Sequence, residues 1–156
     1  MKARPVTPDI DCASILPGFD FADAYRVEVP PGIDAIRAAG GMLSTMPHWI
    51  RMLLRIRDRL GMLVALKPAP PGGFPVIRQS PGEVLMGFDD RHLDFRVAVV
   101  VAEGNATLTT IVRSHNVWGR GYLAAIMPFH RIIAARAVLN IAALAGAGNG
   151  PAQPRA

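Results

Sequence analysis

Residues 89–116 read DDRHLDFRVAVVVAEGNATLTTIVRSHN, and the fold follows from how this stretch divides. The valine-rich run from Arg91 to about Ala102 and the threonine- and isoleucine-rich run from Ala106 to about Asn116 have strand compositions. Glu103-Gly104-Asn105 between them is a hairpin-type turn. The strands therefore pair antiparallel. With a tight turn, residue i lies opposite about 209 − i, which sets Leu93 and Asp94 across from Ser114 to Asn116.

Alternate side chains of a strand share a face. Asp90, His92, Asp94 and Arg96 share one, and Leu93, Phe95 and Val97 the other. On the second strand Thr107, Thr109, Ile111, Arg113 and His115 lie together, opposite Leu108, Thr110, Val112 and Ser114. A slip of one residue exchanges the faces. In either register His92, Asp94, Arg96, Arg113 and His115 come from neighbouring strand segments.

Two further runs precede this hairpin: FPVIRQS (74–80), the turn Pro81-Gly82, then EVLMGF (83–88). Short turns between successive strands make an antiparallel meander. Earlier, FADAYRVEV (21–29) alternates Tyr25, Val27 and Val29 against Arg26 and Glu28, a half-buried strand ended by Pro30-Pro31-Gly32. Two helices are expected between that strand and the meander. The first covers about 34–43. The second begins at Pro47 behind Ser44 or Thr45 as cap, with Trp49, Met52, Leu53, Ile56, Leu60 and Leu63 at helical spacing and Arg51, Arg55 and Asp58 opposite. After the meander a long helical pattern runs from about Trp118 to Leu144. Its stripe is Tyr122, Ile126, Phe129, Ile133, Ala137, Ile141 and Leu144, with Arg120 and Arg131 on the other side and Pro128 marking a kink or break. His130, Arg131, Arg136 and Asn140 interrupt every window of about 20 residues there, so no membrane span is expected. The expected class is α+β: a curved antiparallel sheet of about five strands packed on a long C-terminal helix, with two short helices after the first strand. Residues 1–18 form an extended arm, 19–145 a single domain, and 146–156 a disordered tail.

Composition narrows the function classes. The 156 residues are 51% hydrophobic and 19% charged, too apolar for a disordered chain. The net charge of +5 comes from scattered arginines without aromatic interleaving, so nucleic acid is not an expected partner. Cys12 is the only cysteine, which excludes an intrachain disulfide, a thiolate zinc cluster and a CxxC pair. The N-terminus lacks the apolar run of a signal peptide, and the expected location is the cytoplasm. No GxGxxG, GxSxG or HExxH motif is present, and no cofactor is expected.

The ionisable cluster supports several chemistries. His92 beside Asp94 or Asp90 could be a general base with its orienting carboxylate. His92, Asp94 and His115 could ligate a metal by residue type, although none is assigned. Arg96 and Arg113 could clamp a carboxylate or phosphate. The plain alternative is a solvated sheet face of cross-strand ion pairs. His48, at a helix start, and His130, beside the apolar stripe, are expected to be structural.

Five segments, FADAYRVEVPPG, PHWIRMLLRIRDRL, FPVIRQSPGEVLMGFDDRHLDFRV, TTIVRSHNVWGRGYL and PFHRII, together resemble a bacterial family, the domain of unknown function 2867, over roughly residues 20–140. DDRHLDFR, HNVWGRGYL and PFHR are the most specific pieces. The resemblance carries no established activity. Some members follow an NAD-binding epimerase-like domain, which these residues do not include. The element order is also similar to the helix-grip fold of START and birch-allergen-like proteins, which implies an apolar cavity between sheet and helix. The leading expectation is a protein that binds a small, largely apolar or amphipathic molecule there. Tyr122, Ile126, Phe129 and Trp49 would line the apolar part, with Arg96, Arg113 and His115, together with His92, at a polar or anionic end. The alternatives are a cyclase-, dehydratase- or isomerase-type enzyme with His92 as base oriented by Asp94, and a non-catalytic module docking through its arginines or its arm.

Overall fold

The computed structural model describes residues 2–42, 48, 52, 55, 59, 62 and 74–147, with side chains to 144. In chain order the elements are β1 (Arg4–Val6), α1 (Cys12–Ile15), β2 (Phe21–Glu28), α2 (Ala35–Met42), β3 (Val76–Gln79), β4 (Glu83–Asp89), β5 (Leu93–Ala102), β6 (Asn105–Ser114) and α3 (Val117–Ala147). The strands form one curved antiparallel sheet in the order β1-β2-β6-β5-β4-β3. The α+β class read from the sequence is the observed one.

The central hairpin turns on two residues. Ala102 lies opposite Asn105, and Glu103 and Gly104 between them both have positive φ, +50° and +72°. Two positive φ values match the right-handed twist of the flanking strands, so the turn needs no third residue. The register is therefore i opposite 207 − i: Leu93 faces Ser114 and Asp94 faces Arg113. This differs by two from the register expected above. A shift of two preserves every face, because the side-chain period is two.

One face of the sheet carries Phe95, Val97 and Val99 of β5, Leu108, Thr110 and Val112 of β6, and Val84 and Met86 of β4. It packs against Ala134, Ala137, Val138 and Ile141 of α3 and Ala35, Ala38 and Met42 of α2. Asp34 starts α2 by accepting the amide of Arg37 (2.7 Å), as a helix cap does. Gly41 of α2 packs directly against Leu144 of α3. A Cβ there would lie 2.0 Å from Leu144 Cδ1. The buried amide of Asn140 donates to Met42 O (3.3 Å) and so ties α3 to the end of α2.

The opposite face is covered by the N-terminal residues. β1 adds a sixth strand at the free edge of β2, and α1 lays Cys12 and Leu16 on Ile111 of β6. Pro5 sits within β1, and proline is tolerated on an edge strand because it need not donate to a ladder. Asp11 caps α1 through Ser14 N (3.1 Å). The sheet thus has two apolar faces, one closed by helices and one by the arm. Leu16 is 2% exposed, so Leu16→Ala is expected to cost about 2–4 kcal/mol, read as a lowered urea midpoint. An unchanged midpoint would mean that the arm contributes no packing.

One expectation for the helices is corrected, and Pro128 does not mark a break. Met52, placed on an apolar stripe by spacing, is 56% exposed; its described neighbours His48, Arg55, Arg59 and Met62 are also helical and exposed. Met52 falls with Arg55 and Arg59, three and seven residues on, on the solvent side. α3 runs unbroken through Pro128. Pro128 lies on the exposed side, where the carbonyl left without its donor one turn earlier can reach water. Of the 146–156 segment, helix α3 takes Gly146 and Ala147; the rest lies outside the described residues.

Candidate functional site

The cluster in DDRHLDFR lies on the arm side of the sheet. The Asp94 carboxylate is 4% exposed and receives three bonds. Arg113 donates from Nε (3.0 Å) and Nη2 (2.5 Å) to Oδ2, and His115 Nε2 lies 2.9 Å from Oδ1. Arg113 is placed by register, directly across from Asp94, and His115 two residues further on the same face. Burial pushes the Asp94 carboxyl up, but the hydrogen bonds from His115 and Arg113 and their charges outweigh it and hold it below the ordinary aspartate range. Arg113 also donates from Nη1 to Pro17 O (2.9 Å). Next to it Asp20 accepts from the Ser114 amide (3.2 Å) and its hydroxyl. The cluster therefore fastens the arm to the end of β6.

The other residues singled out there are committed elsewhere. Arg96 pairs with Asp89 (2.7 Å) and donates to Phe88 O (3.1 Å) and Phe95 O (3.0 Å), bracing β4 against β5. The His92 ring does not meet Asp94. Its Nδ1 lies 3.0 Å from Asn116 Nδ2, while Asn116 Oδ1 accepts the Gly119 amide (3.0 Å) as the cap of α3. Asn116 Oδ1 also lies 3.2 Å from Nδ1, so either neutral tautomer of the ring can bond to this amide. The His92 carbonyl accepts from His115 N (2.9 Å). His92 thus joins the start of β5 to the start of α3. The structure brings the side chains of Asp94, Arg113 and His115 together, while the His92 ring and the Arg96 guanidinium are bonded elsewhere.

The apolar part lies on the other side of the sheet. Tyr122, Leu123, Ile126, Met127 and His130 of α3 face Phe21, Leu93, Phe95, Thr110 and Val112 across a cleft, with Phe74 and Phe88 at one end. Phe74, Phe88 and Phe95 form an aromatic cluster with centroids 5.0 to 6.0 Å apart. The enclosed volume is about 60 Å³, room for a few waters, and the cleft opens to solvent beyond it.

Tyr122 and Ile126 line this cleft as expected from the stripe. Phe129 does not; it is 45% exposed. The inward row steps by four from Tyr122 to Ile126 to His130, and Phe129 falls one position short of it. Arg96, Arg113 and His115 cannot hold the polar end of a molecule in this cleft, because their strand positions put them on the arm side. Trp49 lies outside the described residues.

His130 lines the cleft wall and is paired with Asp23, a partner that spacing alone did not single out. His130 Nε2 is 3.1 Å from Asp23 Oδ1, with both side chains mostly buried, and the ring stands edge-on to Phe21 at 6.0 Å. Asp23 is on the inward face of β2, opposite Thr110 and two residues before Tyr25. Burial pushes the Tyr25 hydroxyl up, Asp23 adds to the effect, and Arg131 opposes it. Two signals for this pair were present. Asp23 shares parity with Tyr25 and Val27, an acid on an apolar face, and His130 follows Tyr122 and Ile126 at intervals of four.

No curated protein and no solved structure matches the chain. The sequence profile of the family described as protein of unknown function (DUF2867) matches residues 15–137, most of the 156-residue chain, and the chain belongs to that family.

Proposed function

We propose that the protein binds a small, largely apolar molecule with a polar or anionic end in the cleft between the sheet and α3, and that His130 contacts that end. One observation carries this: His130, held by the Asp23 carboxylate, stands in the wall of a largely apolar cleft. Burying such a pair among phenylalanines costs free energy that a hydrophobic pair would not. Placed polar groups in an apolar concavity are a common form of ligand site. Asp23 orients the ring by accepting from Nε2, which leaves Nδ1 as acceptor when the ring is neutral and as donor when it is charged. A six-stranded curved sheet carrying a long C-terminal helix also suits a helix-grip reading, with the ligand between the two layers. The enclosed part holds one ring or a short chain, and the open mouth admits the rest of a larger molecule.

The test uses an anionic naphthalene dye and its displacement by short- and medium-chain carboxylic acids. The wild type is expected to bind the dye and release it to the acids. Losing a hydrogen bond to a charged group is worth about 1.5–3 kcal/mol, so His130→Ala should weaken acid binding roughly ten- to hundredfold. Leu123→Trp, which fills the cleft, should abolish binding. A folded wild type that takes up neither dye nor acid sinks the proposal. The same pair supports a second reading, an acid–base enzyme of cyclase, dehydratase or isomerase type. His130 fits the part of oriented base better than His92, whose ring is tied to Asn116.

A further inference from the structure

We infer that the solvent face of α3 docks on an anionic lipid bilayer surface, lying in its interface. Trp118, Gly121, Ala125, Phe129, Ile132 and Arg136 follow one another at intervals of three or four, and all are exposed. Trp118 is 63% and Ile132 49% exposed. The strip from Trp118 to Ile132 is about 21 Å long at about 1.5 Å per residue. The outer face of a helix in a water-soluble protein is normally polar. Here it carries no acid, lysine, serine, threonine or glutamine between Val117 and Ala147, only Arg120, Arg131 and Arg136. Arg120 and Arg131 border the strip, and Arg136 ends it one turn beyond Ile132. An aromatic and aliphatic strip with an arginine rim matches a negatively charged interface, where rings sit at headgroup depth and guanidinium groups meet phosphates. The net charge of +5 has the same sign.

By length and composition α3 could also cross a bilayer. Its other side, however, packs through Ala134, Ala137, Val138 and Ile141 onto the sheet. Surface docking keeps that packing, whereas a span would remove the helix from its core. The inference stands whether or not the cleft holds a ligand.

The experiment uses the full chain with Trp49→Phe, so that Trp118 is the one tryptophan. It is mixed with vesicles of phosphatidylcholine alone, or with about a third replaced by phosphatidylglycerol. The protein is expected to float with the anionic vesicles, to show a blue-shifted Trp118 emission quenched by brominated acyl chains, and to release at high salt. Neutralising Arg120, Arg131 and Arg136 to Gln should weaken binding roughly fivefold each, about a hundredfold together. Ile132→Ser should weaken it without changing the thermal melt, because the side chain is half exposed. Absence of flotation with either vesicle overturns the inference. So does binding that ignores these substitutions and salt, a dimer that buries Trp118, or a lipid-free monomer whose Trp118 iodide cannot reach. Quenching and salt dependence decide the matter even if a variant fails to fold.

Discussion

Gly119→Ala is expected to destabilise the protein by about 3 kcal/mol or more, the upper end of what overpacking costs when the surroundings cannot move. A Cβ at Gly119 would lie 2.1 Å from the His92 carbonyl oxygen, 3.0 Å from its carbon and 3.3 Å from Ser114 Cβ. The obstacle is backbone, and it is held from three sides. His92 O accepts the His115 amide, the His92 ring meets Asn116, and Asn116 accepts the Gly119 amide. The first turn of α3 can retreat only by breaking its own cap. Gly121→Ala, two residues on, is the control. Nothing lies within 4 Å of its added Cβ, so better helix propensity should raise stability by about 0.5–1 kcal/mol. Urea denaturation of both variants, with unchanged slope, measures the contrast. Equal midpoints for Gly119→Ala and wild type would refute the junction described here.

Arg113→Ala should cost about 3 kcal/mol at neutral pH, because it leaves the Asp94 carboxylate buried with His115 alone. The pH dependence follows from the lowered value of Asp94 in the folded state. A depressed carboxyl contributes stability that is fully present above its unfolded value, about 3.9, and is lost as pH falls through the lower folded value. In Arg113→Ala burial opposes fewer bonds, the folded value rises, and the acid limb of the stability curve moves to higher pH. Asp94→Asn removes that contribution, so its acid limb should be shallower than that of the wild type. Denaturation midpoints across a pH series give all three curves. The Arg113 bond to Pro17 adds a local sign: amide exchange in the arm should accelerate in Arg113→Ala while β5 stays protected. An arm unaffected by the substitution would dissociate the cluster from the latch.

The two-residue hairpin shows how far local chemistry reaches. Glu-Gly lacks the asparagine or aspartate usual at the first position of such turns, and the expected turn was therefore wider. The faces survived the error because it was even. The sixth strand was hidden for a different reason. Three residues containing proline have no pattern of their own, and β1 exists because β2 offers an unpaired edge. His130 and Asp23 stand 107 positions apart, so no local spacing could pair them.

Alternation and turn residues alone determined the antiparallel hairpin, the helix that covers the sheet, and the shared face of Arg113 and His115. These depend only on a period of two or of 3.6 along the chain. The observed register added Asp94 to that face. Which layer covers which face was decided by the tertiary structure. β5 and β6 are apolar on both sides: Val97, Val99, Leu108 and Val112 face the helices, while Ala98 and Ile111 face the arm. A strand buried on both faces reads the same from either side. The assembled sheet therefore put the polar cluster under the arm and left His130, paired with Asp23, in the cleft wall.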